Sequence, residues 1–212
     1  MKRSKVSVKP DGLFKQNIVL MSGLLTAPII VAATTAKNSL ILVISFFMIA
    51  YTSILLCRFI PRKIVYSIRI FMYALVAGLM FIPTVMLLEM MFPDVEQGVM
   101  LYVELLVVNS LLLAKTETRF YLKPYGEMAV DALIYVAGYA LAAFAVGFIR
   151  EMLAYGTLFG FRLFDPVVPS AQSPFFGFIL VGIFAALCRA IVGSRASQRS
   201  SARYLEDDED YT

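Results

Sequence analysis

The sequence predicts an all-α polytopic membrane protein with six transmembrane helices, and two observations support that prediction. First, the 212-residue chain is 60% hydrophobic and only 16% charged, with a mean hydropathy of +0.79, whereas soluble domains average about 45–50% apolar and about 25% charged residues. Second, several stretches of about 20 residues carry few or no charges, and a helix needs that length to cross a bilayer. The composition excludes a soluble domain and a disordered chain.

Six apolar stretches satisfy this length criterion. Four of them carry no charge, the fourth stretch along the chain contains Glu104, and the last contains Arg189 close to its end, where the side chain can reach the interface. The predicted spans are residues 16–36, 38–57, 70–88, 97–114, 132–149 and 174–193.

Basic residues are distributed unevenly between the two sides of this arrangement. Sixteen of the 19 lie in the N-terminal tail, the second and fourth connecting loops and the C-terminal tail, whereas the other loops hold only Lys37, Arg150 and Arg162. Lysine and arginine are enriched in cytoplasmic loops. The distribution therefore predicts that both termini lie in the cytoplasm.

Polar tails flank a single membrane domain. Residues 1–15 form a basic cytoplasmic tail, residues 16–193 form the six-helix domain, and residues 194–212 form a tail that is basic and then acidic. Disorder is expected for that last segment. Because the basic residues lie in tails and short loops, membrane lipid is an expected partner and nucleic acid is not.

The residue inventory restricts the chemistry of the chain. It contains no histidine and two cysteines, Cys57 and Cys188, which are far apart in sequence and are each followed by arginine. No Cys-x-x-Cys motif occurs, so the chain is predicted to hold no zinc or iron–sulfur site alone. Proton or ion handling would then depend on Asp, Glu, Tyr or backbone carbonyls.

The first and fourth spans differ from ordinary transmembrane helices. Pro28 lies near the middle of the first span, where its missing N–H favours a kink or a break. Glu104 lies inside the fourth span and is followed by Asn109 and Ser110. A carboxyl group at that depth is costly unless it is protonated, paired or facing water. These four residues are candidates for an ion or solute path.

The two irregular spans occupy equivalent positions if the chain consists of two three-helix halves. An odd number of spans inverts one half relative to the other, and irregular spans at matching positions indicate a site at the bilayer midplane. We therefore predict two inverted three-helix repeats with helices 1 and 4 broken near mid-membrane. Two simpler explanations stay open, namely that Pro28 kinks a helix for packing and that Glu104 pairs with a neighbouring subunit.

Arg150 and Glu151 directly follow the fifth span, and adjacent opposite charges at a membrane edge are typical of interfacial anchors. The next segment contains Gly156, Thr157 and Gly160 and is too apolar for simple solvent exposure. We expect it to fold back against the protein or to dip into the membrane.

Residues 131–164 resemble the fifth span and following loop of the integral-membrane subunits of Rnf and Na⁺-translocating NADH:quinone oxidoreductase (Nqr) complexes. The motif residues at the family's spacing include Asp131, Arg150, Glu151, Gly156, Thr157 and Gly160. Weaker similarity extends over residues 12–190, and the orientation is similar to the RnfE/NqrD type. The resemblance implies a bacterial inner-membrane location, a sister membrane subunit and further complex subunits as partners.

The resemblance also implies a cofactor that this chain does not match. In the family, each of two sister subunits supplies one cysteine from span one and one from span four to a [2Fe–2S] cluster. In this chain the family's span-four cysteine position is occupied by Ser110, and the segment that matches its span-one cysteine, residues 24–26, contains no cysteine. In addition, Glu104 stands where the family has a proline. The chain is therefore expected to bind no cofactor alone, and a [2Fe–2S] cluster is not expected.

Three functions stay open at this point. The first is a membrane subunit of an Rnf/Nqr-type ion-translocating electron transport complex, which scaffolds the electron and ion path beside its sister and is not catalytic alone. The second is a cluster-free paralogue that acts as a small-solute or ion permease, with Glu104 in its binding site. The third is a purely structural assembly subunit.

Overall fold

A computed structural model shows a bundle of helices. The structure describes residue 17, residues 19–21, residue 23, and residues 25–61, 63–108, 116–118, 120 and 123–209. The helices of this part of the chain are α1 (Thr26–Ala32), α2 (Ala36–Phe46), α3 (Thr52–Cys57), α4 (Tyr66–Met91), α5 (Gln97–Leu105), α6 (Thr116–Thr118), α7 (Tyr125–Tyr155) and α8 (Pro174–Glu209). The shorter elements are a π-helical turn (Phe47–Tyr51) between α2 and α3, a hairpin of β1 (Thr157–Leu158) and β2 (Phe161–Arg162), and a 3₁₀ helix (Pro169–Gln172).

Four segments of the described chain are long and apolar enough to cross a membrane. They are Ala36–Cys57, Tyr66–Met91, Tyr125–Tyr155 and Pro174–Val192. These segments coincide with the predicted second, third, fifth and sixth spans, so the mostly helical architecture is confirmed. The backbone of α8 continues as a helix to Glu209, into the segment for which the sequence favours disorder.

In the parts of the first and fourth predicted spans that the structure describes, the helices are short. α1 has seven residues and α5 has nine, which correspond to about 10 and 14 Å at the rise of an α-helix. The backbone before α1 is left-handed at Gly23 and Leu25, and a turn at residues 106–108 follows α5. The arrangement as two inverted three-helix repeats with broken helices 1 and 4 stays a prediction.

α7 is the central helix of the bundle. It has 31 residues and is longer at both ends than the predicted fifth span. It begins after Pro124 and ends where Gly156 adopts a left-handed conformation with φ 64°, which glycine tolerates without steric cost. Arg150 and Glu151 therefore lie inside the helix rather than beyond its end.

α2 packs antiparallel against α7 through a series of close contacts. A Cβ atom on Gly147 would lie 1.9 Å from the Ser39 Oγ atom, so glycine permits this approach. The Ser39 hydroxyl donates to the Ala143 carbonyl at 3.0 Å, and the rings of Phe46 and Tyr139 have centroids 4.2 Å apart. These contacts set the register of the two helices and bring the start of α2 beside the end of α7.

α4 and α8 lie at the periphery of the bundle. Only 17% of the apolar window of α4 and 11% of that of α8 is buried within the chain, compared with 50% for α7. The exposed apolar side chains of α4 include Phe71, Leu75, Leu79, Ile82, Met86 and Met90. They recur every three or four residues and form an apolar stripe, which requires lipid or another protein as its surroundings.

Candidate functional site

The break between α1 and α2 brings several of the predicted site residues together. Residues 33–35 separate the two helices, and the last carbonyls of α1 and the first amides of α2 lack helical partners. Arg150 and Glu151 of α7 bind these two helix ends, and their exposed fractions are 0% and 3%. The end of the bundle that holds this break and the β-hairpin is called the hairpin end below.

Arg150 donates hydrogen bonds to backbone carbonyls with all of its N–H groups. Its Nη1 group binds the end of α1, at 2.8 Å from the Ile30 oxygen and 3.1 Å from the Ala33 oxygen. The Nε and Nη2 groups bind carbonyls in the segment before α8: Ala171 at 2.9 Å, Gln172 at 2.5 Å and Ser173 at 3.4 Å. A buried guanidinium needs hydrogen-bond partners for its five N–H groups, and the backbone supplies them here.

Glu151 binds the start of α2 and the β-hairpin. Its Oε2 atom accepts a hydrogen bond from the N–H of Ala36, the first residue of α2, at 2.7 Å. Its Oε1 atom accepts hydrogen bonds from the Thr157 hydroxyl and the Gly160 N–H, both at 3.3 Å. A carboxylate is favourable at a helix N-terminus because the free N–H groups carry partial positive charge. Glu151 therefore links α7, α2 and the hairpin.

The interpretation of Arg150 and Glu151 as interfacial anchors is wrong. Anchoring side chains extend towards lipid headgroups, whereas these two are buried inside the chain. Three of their partners, Ile30, Ala33 and Ala36, lie 115 to 120 residues earlier in the sequence. The adjacent charges are visible in the sequence, but only folding brings the α1–α2 break to them.

Gly156 begins the turn from α7 into the hairpin. Its φ is 64°, and a Cβ atom there would lie 2.0 Å from the Phe164 carbonyl oxygen, so backbone conformation and space both require glycine. The segment after the hairpin returns to α7, where the Val168 N–H donates to the Leu153 carbonyl at 2.8 Å. This apolar loop thus folds back against the protein, while Phe161 at the hairpin stays 77% exposed.

Glu104 lies on α5, which packs against α1. Its side chain is on the exposed face of the helix together with Leu101 and Leu105, which are each 54% exposed. Glu104 is a candidate for the ion or solute path, but the described residues do not enclose its carboxyl group. Whatever meets Glu104 in the membrane therefore comes from outside the described part of the chain.

Pro28 is buried in the first turn of α1. An N–H in the first turn of a helix has no helical partner, so Pro28 is compatible with the start of this helix and does not kink a longer one. Asn109 and Ser110, the other two path candidates, lie outside the described residues.

Two cavities that share Glu96 open beside the α1–α2 break. The larger cavity, of about 350 Å³, is lined by Thr35, Lys37, Asn38, Asp94, Glu96, Phe159 and Gly160. The smaller cavity, of about 130 Å³, extends along α1 and α5 to Val31 and Tyr102. Asp94 and Glu96 were not among the predicted site residues, although two acids in one short loop between apolar spans are a visible signal.

Two ion pairs connect elements at the opposite end of the bundle. The Arg69 Nε atom lies 2.6 Å from Glu117 Oε1, and Tyr73 donates to the same carboxylate. The Lys123 Nζ atom lies 2.8 Å from Asp131 Oδ2, and the Asp131 side chain is 1% exposed. Asp131 thus connects the start of α7 to the preceding loop, far from the other residues of its motif.

The cysteines do not fit an iron–sulfur cluster. Cys57 ends α3 and Cys188 lies in α8, whereas α1 and α5 carry no cysteine. Within the described residues, no group of three or more His, Cys, Asp or Glu side chains could hold a metal ion. A [2Fe–2S] cluster prefers four thiolates, and these residues do not supply them.

Comparison with known proteins relates this architecture to one family. The profile of a family described as "Rnf-Nqr subunit, membrane protein" matches residues 6–188. The E subunit of the Na⁺-translocating ferredoxin:NAD⁺ oxidoreductase complex of Acetobacterium woodii is 25% identical over 180 residues, covering 83% of this chain and 91% of the relative. The E subunit of the ion-translocating oxidoreductase complex of Yersinia pestis (strain Pestoides F) is 28% identical over 158 residues, covering 70% of this chain. That match spans 64% of the Yersinia protein, which is less than two thirds of its length.

Proposed function

Because this chain belongs to the Rnf-Nqr subunit family of membrane proteins, we propose that it is an integral membrane subunit of an ion-translocating oxidoreductase complex. The observation that carries this proposal is the extent of the family match, which covers α1 to α7 and most of the apolar part of α8. The two relatives described above are both named as the E subunit of such complexes. In this role the chain scaffolds the path of ions and electrons and catalyses no reaction alone.

A sister membrane subunit is the partner that we propose for the exposed face of α5. Glu104 lies on that face with Leu101 and Leu105, and a carboxylate that faces lipid acyl chains is costly. A partner that supplies a hydrogen-bond donor or a cation would offset this cost. Lipid and the remaining subunits would cover the apolar faces of α4 and α8.

The proposed topology has both termini in the cytoplasm and six crossings of a bacterial inner membrane. The distribution of basic residues supports this topology. Sixteen of the 19 lysines and arginines lie in the tails and in the second and fourth loops, and basic residues are enriched on the cytoplasmic side of a membrane. In this orientation the hairpin end faces away from the cytoplasm. α1 and α5 then belong to the first and fourth crossings, as the broken helices of two inverted repeats.

The proposed ion path runs between α1 and α5. The smaller cavity follows both helices from Glu96 to Tyr102, and Glu104 lies two residues further along α5 on its exposed face. The proposed path therefore continues from this cavity to the face of α5 that meets the sister subunit. The residues that we assign to this path are Glu104, Asn109, Ser110 and Pro28. Glu104 would bind a cation or a proton where the path meets the sister subunit.

We propose that this chain binds no cofactor alone and carries no [2Fe–2S] cluster, although its resemblance to the family implies one. Ser110 stands at the position of one family cysteine, and a serine hydroxyl is far harder to ionise than a thiol. Anaerobic purification, iron quantification and EPR spectroscopy of the two membrane subunits together test this point. A stoichiometric cluster signal that survives the replacement of Cys57 and Cys188 by serine, and is lost in Ser110→Ala, would contradict it.

A small-solute or ion permease is the second candidate function. The observation that favours it is the 350 Å³ cavity beside the α1–α2 break, which is lined by Lys37, Asp94 and Glu96 and has room for a small polar solute. A permease would also have no need of cluster ligands.

One experiment separates these two functions. The full chain, tagged at its C-terminus, is purified in mild detergent from its native membrane, and the bound subunits are identified and quantified by mass spectrometry. A redox complex predicts stoichiometric flavin- or ferredoxin-type subunits and a sister membrane subunit. Recovery of the chain without redox subunits, together with solute uptake into proteoliposomes that contain it alone, would instead establish the permease.

A further inference from the structure

We propose that Arg150 and Glu151 act as a two-sided clamp that holds the ends of α1 and α2 together and thereby positions α1 against α5. Arg150 binds the carbonyl end of α1, and Glu151 binds the amide end of α2. Both are positioning residues, and neither is assigned a catalytic role. The clamp is a feature of the fold and does not depend on the proposed function.

Each charge of the clamp matches the polarity of the helix end that it binds. Carbonyl groups at a helix C-terminus carry partial negative charge, and N–H groups at an N-terminus carry partial positive charge. The cationic Arg150 meets the Ile30 and Ala33 oxygens, and the anionic Glu151 meets the Ala36 N–H at 2.7 Å. If the two charges were exchanged, the carboxylate would face the partly negative carbonyl end of α1 and the guanidinium would face the partly positive amide end of α2.

The adjacency of the two residues gives the clamp a fixed span. Consecutive residues of an α-helix point about 100° apart around its axis, so Arg150 and Glu151 reach two different elements from one turn of α7. That turn belongs to a helix of 31 residues and is therefore well supported. The clamp thus fixes the separation of the α1 and α2 ends across residues 33–35.

The same two side chains also connect the clamp to the elements around it. The remaining N–H groups of Arg150 bind the segment before α8, and the second oxygen of Glu151 binds the hairpin at Thr157 and Gly160. Gly177 of α8 lies against α1 as well, since a Cβ atom there would be 2.4 Å from the Ile30 oxygen. α1 is therefore held by α7 and α8, and it also packs against α5.

Lysine cannot replace Arg150 in this clamp. An ammonium group has three N–H donors on one atom, whereas the planar guanidinium has five in a fork. The five carbonyls lie in two segments on different sides of Arg150, at the end of α1 and before α8. Arg150→Lys therefore leaves buried carbonyls of at least one segment without a donor.

A charge-exchange variant tests the clamp directly. The probe is Ala33→Cys, because Ala33 is 0% exposed at the break, in a full-length background with Cys57→Ser and Cys188→Ser. The maleimide labelling rate of this cysteine in native membranes reports how often the break opens. We expect labelling at least about tenfold faster in R150E/E151R than in the parent, as the loss of charged hydrogen bonds implies.

The exposed ion pair between Arg162 and Asp165 at the same end provides the matched control. Exchange of those charges in R162D/D165R is expected to leave the labelling rate unchanged. If R150E/E151R also labels at the parental rate, the two residues act as an exchangeable charge pair and the clamp is refuted.

A conservative variant keeps the test valid if the exchanged protein fails to fold. R150K retains the charge, and the clamp predicts severalfold faster labelling of the position-33 cysteine in a protein with the parental gel-filtration profile. A parental labelling rate in R150K would overturn the clamp. Because the assay measures neither complex assembly nor ion transport, its failure is distinguishable from failure of the proposed function.

Discussion

Gly147 determines how closely α2 can approach α7. A Cβ atom at this position would lie 1.9 Å from Ser39 Oγ and 2.8 Å from the Thr35 carbonyl oxygen. We expect Gly147→Ala to destabilise the protein by about 1–3 kcal/mol, because the packed helices must move apart. Thermal unfolding in detergent should show a lower midpoint for this variant.

The control for that measurement is Gly182→Ala. Gly182 lies inside α8, and a Cβ atom there meets nothing within 4 Å. Alanine is favoured over glycine within a helix by about 0.5–1 kcal/mol, so this variant should unfold at the same or a slightly higher temperature. Equal midpoints for both alanine variants would contradict the packing assigned to Gly147.

Glycine can be required by a positive φ or by a lack of space for a Cβ atom, and Gly156 and Gly160 allow these two effects to be measured separately. Both have positive φ, but a Cβ atom on Gly156 would lie 2.0 Å from a backbone oxygen, whereas one on Gly160 meets nothing within 4 Å. Gly160→Ala should therefore cost about 1–2 kcal/mol of backbone strain, and Gly156→Ala should cost more because the hairpin must also shift. Unfolding midpoints of the two variants measure the difference, and a larger loss for Gly160→Ala would disprove it.

At the scale of elements, the exposed face of α5 carries the carboxylate of Glu104 within the predicted fourth span. We expect Glu104→Lys to lower the recovery of the sister subunit at least about tenfold, since an unmatched charge at an interface costs several kcal/mol. Glu104→Gln, which keeps the shape and a hydrogen-bonding group, should retain the sister subunit. Quantitative mass spectrometry of the purified complex gives both values.

Glu89→Lys is the matched control for the α5 face. Glu89 is an exposed acid on α4, close to the end of that helix, and its replacement should leave subunit recovery unchanged. If Glu104→Lys retains the sister subunit as fully as Glu89→Lys does, then the face of α5 that carries Glu104 is not the subunit interface.

At the scale of the whole molecule, the topology gives a prediction for each of the first four connecting loops. In a background without Cys57 and Cys188, a cysteine at position 37 or 94 should react with an impermeant maleimide added to intact cells. A cysteine at position 62 or 119 should react only after permeabilisation, because the basic loops face the cytoplasm. The opposite labelling pattern would invert the proposed orientation of the chain.

The sequence alone determined the class of the protein and the four long spans. These features depend on local properties, since apolar stretches of sufficient length form helices in a membrane wherever they occur in a chain. The resemblance of residues 131–164 to a family motif was also readable without a structure, and the family match over residues 6–188 confirms it.

Only the tertiary structure decided what the motif residues contact. Arg150 reaches the end of α1 over 117 and 120 positions of sequence, and Glu151 reaches the start of α2 over 115. The partners are backbone groups, which every residue possesses, so no residue type in α1 or α2 identifies them in advance. These two charges can be buried only because folding places the α1–α2 break beside them. The position of that break relative to α7 depends on the packing of the whole bundle.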